Sequence, residues 1–203
     1  MSKKGILIVV SGPSGCGKGT ILGKLFESCE NLEYSVSATT RAPRNGEVDG
    51  VNYHFKTKEE FLSMAENGEL LEYACYCDNY YGTPKKQVLD MLESGKDVIL
   101  EIEVEGAMQI KETYPNAAFV FILPPSVKVL KERLTGRGTE SPEVVESRIK
   151  KALSELTMAY KYDYAIINDK LDEAVEALRC VINGEKQVVG RMINKIDEVL
   201  ENA

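Results

Sequence analysis

A nine-residue stretch near the start, Gly12-Pro13-Ser14-Gly15-Cys16-Gly17-Lys18-Gly19-Thr20, constrains the chain most, because of what flanks it. Before it runs Ile6-Leu7-Ile8-Val9-Val10, apolar and β-branched, which reads as a buried strand. After it, Ile21, Leu22, Leu25 and Phe26 recur at helical spacing. A glycine-rich turn between a strand and a helix lets backbone N–H groups point inward, and the helix adds its positive end. Lys18 extends the cradle as a point charge. The expected ligand is therefore phosphate, bound by residues 12–20. An ordinary glycine turn is the bland alternative; three glycines, a lysine and the flanking elements in order disfavour it. The usual hydroxyl directly after the lysine is replaced by Gly19. That makes a direct hydroxyl ligand to Mg²⁺ less secure than phosphate binding itself, with Thr20, one place later, a candidate.

Length and composition narrow the class. With 203 residues, 43% hydrophobic and 28% charged, the chain suits one globular domain with small inserts. A net charge of −7 argues against non-specific nucleic-acid binding, yet leaves room for local arginine clusters. Five cysteines without zinc-type spacing fit reduced thiols and a cytoplasmic setting. The start resembles no signal peptide, and no apolar run spans a membrane. Cys16 reads as a small filler residue, in preference to a thiol activated by the loop's N–H groups.

Further near-continuous apolar runs, Val98–Leu100, Ala118–Leu123 and Ala165–Ile167, alternate with helical patterns over 104–112, 127–134 and 143–160. That alternation predicts an α/β fold around a parallel sheet. Residues 34–92 break the rhythm. Short strands are expected at Tyr34–Ser37, Val51–Phe55 and Leu70–Cys77, with a turn at Asp78–Gly82 leading into a further short strand, and helices over 58–66 and 84–93. Two amphipathic stripes close the chain, Leu171 to Ile182 and Val188 to Leu200, with Gly184 interrupting them. The second is expected to pack within the chain, self-association being the alternative.

Five of the seven arginines fall in two regions, at 41 and 44 and at 133, 137 and 148. Lysine supplies most other positive charge, so arginine stands where two-pronged phosphate recognition would be useful. Glycines beside Arg133 and Arg137 read as a segment that closes over phosphates. The single histidine, His54, reads as structural.

From the glycine loop to about Leu171 the chain resembles the guanylate kinases. The resemblance rests on Ser11–Thr20, on Ser35–Glu47 (Ser-Val-Ser-Ala-Thr-Thr-Arg-Ala-Pro-Arg-Asn-Gly-Glu), and on Gly50–Phe55. It continues through Leu70–Ala74, Asn79–Thr83, Pro124–Ser126, Arg133–Glu140 and Ile167–Asp169, all in the family's order. It implies a phosphate-loop core (1–33, 93–126 and 160–203), a small β-rich GMP-binding insert (34–92) and a helical arginine lid (127–159). It implies that Arg41, Arg44, Tyr53 and Tyr81 hold the GMP phosphate and that Ser37, Glu72 and Thr83 read guanine. Lys18, Arg41, Arg133, Arg137 and Arg148 would act on the transferring group, and Asn168 lies where the family places the ATP base. Glu101 and Glu103 would complete the GMP side. At the second and third positions of this acidic run the family typically has Asp and Gln, where this chain has Glu103 and Glu105.

The chemistry fits these residue types. Guanine offers adjacent N–H donors that one carboxylate accepts together, whereas adenine would leave a buried Glu72 underpaired. A phosphate oxygen is already a nucleophile, so the site needs alignment and charge neutralisation more than a base. The expected activity is ATP-dependent phosphorylation of GMP, and of dGMP, with Mg²⁺. The alternatives are a kinase of another nucleoside monophosphate and a guanylate-kinase-like phosphopeptide-binding module without catalysis.

Overall fold

The computed structural model describes residues 4–76, 78–135 and 142–201, without the side chains of 142–144. The first part of the chain forms β1 (Leu7–Ser11), α1 (Lys18–Phe26), β2 (Leu32–Tyr34), β3 (Ala38–Thr39), β4 (His54–Phe55) and α2 (Lys58–Glu66). The middle forms β5 (Leu70–Tyr76), β6 (Asn79–Pro84), α3 (Lys85–Glu93), β7 (Asp97–Glu101), α4 (Val104–Thr113) and β8 (Ala118–Leu123). The remainder forms α5 (Val127–Thr135), α6 (Pro142–Leu156), a 3-10 turn (Thr157–Lys161), β9 (Tyr164–Ile167), α7 (Leu171–Glu185) and α8 (Val189–Glu201).

The apolar runs pair as a five-stranded parallel sheet in the order β2-β7-β1-β8-β9. The centre of β1 is Val9, flanked by Leu100 on β7 and Phe119 on β8. A central strand buried on both faces has no polar side, which is why β1 is apolar at four successive positions. Ile8 and Val10 pack under α1 and α7, against Ile21, Leu25, Val175 and Leu178. Leu7 and Val9 face α3 and α4, against Val88, Leu92, Ala107 and Ile110. The result is a three-layer α/β core with the loop from β1 to α1 at one edge.

A second sheet, β4-β3-β6-β5, is built from residues 38–84. Its β3–β6 and β5–β6 pairs are antiparallel and β3–β4 is parallel. Helix α2 closes it from one side. The reciprocal Thr57–Glu60 capping box starts that helix. Phe61 is fully buried and stacks on Tyr80 with ring centroids 5.6 Å apart.

Several local expectations need correction. The strand expected over Tyr34–Ser37 is the link between two others: β2 ends at Tyr34 in the first sheet and β3 begins at Ala38 in the second. Strands of three and two residues carry no readable period. The strand expected at Val51–Phe55 shrinks to His54–Phe55, and the turn expected at Asp78–Gly82 is strand from Asn79 onward. Helix α7 runs through Gly184, where a break was expected; nothing lies within 4 Å of a Cβ placed there, so open space and not packing surrounds it.

The tail corrects a larger expectation. Helix α8 buries none of its residues. Val189, Ile193, Ile196, Val199 and Leu200 are all exposed, up to 70% for Val199. Its start is anchored through Arg191 to Glu185 and to the Asn116 carbonyl. Stripes on amphipathic helices normally face the core of their own chain; this one does not. A chain ending at residue 187 loses the Arg191 partner of the buried Glu185 carboxylate and is expected to lose about 1–3 kcal/mol of stability, the scale of one hydrogen bond to a charged group. Urea unfolding of the two forms checks this, and a larger loss would mean that α8 packs on the domain.

Candidate active site

The loop after β1 is shaped by backbone geometry that few side chains tolerate. Gly15 and Gly17 have φ of +86° and +89°. Gly17 is the N-cap of α1 and supplies no side-chain cap, so the first N–H groups of that helix face the loop. The Lys18 ammonium folds back onto the Gly12 carbonyl at 2.6 Å. These are the elements of an anion cradle. Cys16 turns away from it and is fully buried. Burial pushes its thiol pKa up, with Lys18 opposing, so the filler reading stands and thiolate activation does not.

Three cationic side chains were expected to reach this cradle from far along the chain. Arg133, in the last turn of α5, donates to the Cys16 carbonyl at 3.5 Å and the Asn168 carbonyl at 3.2 Å. Arg148, on α6, donates to the Ser14 hydroxyl at 2.8 Å. Arg137 lies outside the described residues. Asn168, just past β9, is buried and spends its amide on the loop itself, donating to the Cys16 carbonyl at 2.8 Å. A Cβ at Gly17 would run into that amide.

A cleft of about 730 Å³ opens from this cradle toward the second sheet. Ser14, Gly15, Gly17, Lys18, Thr20 and Arg133 line one end. Ser37, Arg44, Tyr53, Glu72 and Tyr81 line the other. Glu101 and Glu103, at the end of β7, lie between. Six described residues of the expected site are not part of this lining: Gly12, Cys16, Arg41, Thr83, Arg148 and Asn168. Arg41 donates to Glu47 at 2.8 Å and lies over the Tyr53 ring at 5.3 Å. Glu47 also accepts from the Arg44 N–H at 2.7 Å, so one carboxylate orders both arginines of the loop.

Glu72 is the most unusual group. It is 4% exposed and accepts from the Thr83 hydroxyl at 2.6 Å. Its second carboxylate oxygen lies against Gly106 in the first turn of α4, where a Cβ would collide with it. A side chain at 106 would evict the carboxylate, so the approach requires glycine. Gln109, one turn further along α4, holds the strand that carries Glu72. Its amide accepts from the Tyr73 N–H at 3.2 Å and donates to the Tyr73 carbonyl at 2.8 Å. It thereby stands in for a neighbouring strand on the edge of β5. Burial raises the Glu72 pKa to about 7; the Thr83 hydrogen bond opposes this, and the charges of Glu103 and Glu105 add to it.

Glu101 is pushed up by burial, with Lys18 and the Tyr34 hydroxyl opposing. Among the described residues no group of His, Cys, Asp or Glu has the geometry of a metal site. Oxygen donors nevertheless meet the phosphate loop, since Thr20 lines the cleft and Glu101 Oε2 stands 4.0 Å from where a Cβ on Gly19 would lie. Such a set suits a cation that keeps most of its waters and binds mainly through phosphates, as Mg²⁺ does.

Sequence reasoning missed Tyr34, Glu47, Tyr76, Gln109 and Lys151. Tyr34 lines the cleft and donates to Glu101 at 3.4 Å. Only Glu47 carried a local signal, six residues after Arg41 in a loop with few other partners. The rest act across distances in the chain that no spacing rule reports.

The raised Glu72 pKa makes stability depend on pH. Between about 4.5 and about 7 the folded state holds a proton that the unfolded chain releases. This contribution is therefore present below the unfolded value and lost as pH rises through the folded one. Glu72→Gln removes that dependence, and is expected to gain about 1–3 kcal/mol relative to the parent between pH 5 and pH 8. Denaturant unfolding at both pH values checks it; parallel curves would show that the carboxylate is not strained by burial.

Several known proteins are similar to this chain along almost all of its length. The family model described as guanylate kinase matches residues 4–185. A guanylate kinase of Lactococcus lactis is 52% identical over 203 residues, covering 98% of this chain and 99% of that one. One from Oceanobacillus iheyensis is 50% identical over 202 residues, covering 100% and 98%. The crystal structure of guanylate kinase from Anaplasma phagocytophilum superposes with a TM-score of 0.79 at 32% identity, covering 94% of this chain and 91% of that one.

Proposed function

The chain belongs to the guanylate kinase family, and on that premise we propose that it phosphorylates GMP with ATP through a site divided between the two sheets. The observation that carries the reading is the buried Glu72 carboxylate in the same cleft as the glycine loop. A carboxylate at that depth is costly unless a ligand meets it. Guanine does so with two adjacent N–H donors, and Thr83 and Ser37 stand beside it.

Each end of the cleft then has a task. Arg44, Tyr53 and Tyr81 hold the GMP phosphate, with Arg41 ordered beside them by Glu47. The loop N–H groups and Lys18 hold the ATP phosphates, and Asn168 keeps the loop in shape from behind. A GMP phosphate oxygen attacks the γ-phosphorus; that P–O bond forms while the bond to the β-phosphate oxygen breaks, and ADP leaves. No side chain need remove a proton, because the attacking oxygen is already ionised. Lys18, Arg133 and Arg148 neutralise the equatorial oxygens during transfer, as would Arg137. Mg²⁺, arriving with ATP and met by Thr20 and Glu101, would supply further charge neutralisation there.

No helix among the described residues is long and apolar enough to cross a membrane, in keeping with a cytoplasmic enzyme of small phosphorylated substrates. The exposed stripe of α8 is the proposed place for a second copy of the chain. At about 100° per residue, Lys195 and Asp197 flank Ile196 on opposite sides, so two parallel copies set each basic flank on an acidic one. Equal sedimentation of the full chain and a 1–187 chain, after allowing for mass, would remove that role.

Glu72→Gln is expected to lower kcat/KM for GMP about 5- to 150-fold, equivalent to about 1–3 kcal/mol for a mispaired buried polar group. An unchanged value would take Glu72 out of guanine recognition. Lys18→Ala is expected to cut transfer by at least about 100-fold while the protein still unfolds cooperatively; retained turnover would refute its place at the phosphates.

A further inference from the structure

Helix α6 makes contacts that the division of labour above leaves unused. One turn beyond Arg148, the Lys151 ammonium lies 3.7 Å from the centroid of the Tyr76 ring. It is 4.0 Å from Glu103 Oε2 and 3.7 Å from Glu155 Oε1. Tyr76 ends β5, and it shares with Glu72 and Ala74 the strand face that lines the cleft. Glu103 precedes α4 on the central sheet. One flexible cation therefore meets the second sheet, the central sheet and its own helix at the mouth of the cleft. Lysine suits that position. Its stem spans the gap, and its compact charge sits over an aromatic face and between two carboxylates at once.

We propose that Lys151 is a positioning residue that couples the seating of GMP on β5 to the engagement of Arg148 with the phosphate loop. The inference rests on reading the Glu72 end of the cleft as the GMP side. Arg148 and Lys151 are three residues apart and so share one face of α6. A shift of α6 that brings Arg148 onto Ser14 also brings Lys151 onto Tyr76, and a shift of β5 that seats the nucleotide does the reverse. The same ammonium offsets Glu103, whose charge otherwise adds to that of Glu72 in a cleft that must admit a phosphate dianion.

A plain surface ion pair with Glu155 is the competing account, since that pair has ordinary helical spacing. Kinetics separate the two. Lys151→Met keeps the stem and removes the charge. It is expected to raise KM for GMP about tenfold, the scale of one cation–π contact with an ion pair, and to lower kcat about threefold or more because Arg148 engages less often, while KM for ATP stays within about twofold. Lys151→Arg keeps both charge and ring contact and is expected to restore the parent KM. Tyr76→Leu in the Lys151→Met background should add little to either single change, because both remove the same contact.

An unchanged KM for GMP, a rise confined to ATP, a failure of arginine to restore it, or additive effects with Tyr76 would each overturn the coupling role. A changed unfolding midpoint with parent kinetics would leave only the surface pair. The parent enzyme is the control. Absence of GMP turnover there would overturn the assignment of the cleft, whereas normal parent turnover with an indifferent Lys151→Met would overturn only this inference.

Discussion

Everything functional in this molecule depends on β1 being paired in parallel on both sides. Parallel neighbours end at the same edge of a sheet, so the loop after β1, the carboxylates after β7 and Asn168 after β9 emerge together. Residues 12, 101 and 168 are far apart in sequence and neighbours only because of this register. The apolar side chains of β1 make that pairing the low-energy one, since the strand is covered by helices on both faces. Loosening Val9 or Val10 would therefore disturb the site before it disturbed any catalytic side chain.

The cleft has two electrostatic ends. Lys18, Arg133 and Arg148 gather at the loop, whereas Glu72, Glu103 and Glu105 gather where β5 meets α4. A net charge of −7 over the chain conceals this separation. The acidic end is held by contacts that leave little freedom: Thr83 on one oxygen, the first turn of α4 against the other, and Gln109 fixing the strand. That arrangement costs stability in the free protein and is expected to be relieved when a donor pair arrives. Glu103 and Glu105, longer or more charged than the family's usual Asp and Gln, raise the Glu72 pKa further, and Lys151 partly offsets Glu103.

Much of this was legible in the residues themselves. The loop and the four long apolar runs predicted a parallel α/β core, because burial on both faces leaves an unmistakable composition. Tyr34–Ser37 was misread because strands as short as Leu32–Tyr34 and Ala38–Thr39 owe their existence to partners, not to their own pattern. Glu72 could be singled out only through the family resemblance; nothing in Leu-Leu-Glu-Tyr-Ala announces a buried carboxylate. Gln109 and Lys151 look like ordinary helix-surface residues, and their roles come from a strand edge and a ring supplied by a different sheet. Helix α8 shows the converse: its amphipathic pattern was plain, but pattern alone did not reveal that the domain leaves its apolar face uncovered.

The central claim is that a buried carboxylate at one end of the cleft selects guanine for phosphorylation at the other. Its most direct test is ADP formation from Mg-ATP with GMP, dGMP, AMP, UMP and CMP as separate acceptors. The account predicts turnover confined to the two guanine nucleotides. Comparable turnover with AMP or a pyrimidine nucleotide would contradict it, as would ATP binding by the folded protein without transfer to any of the five.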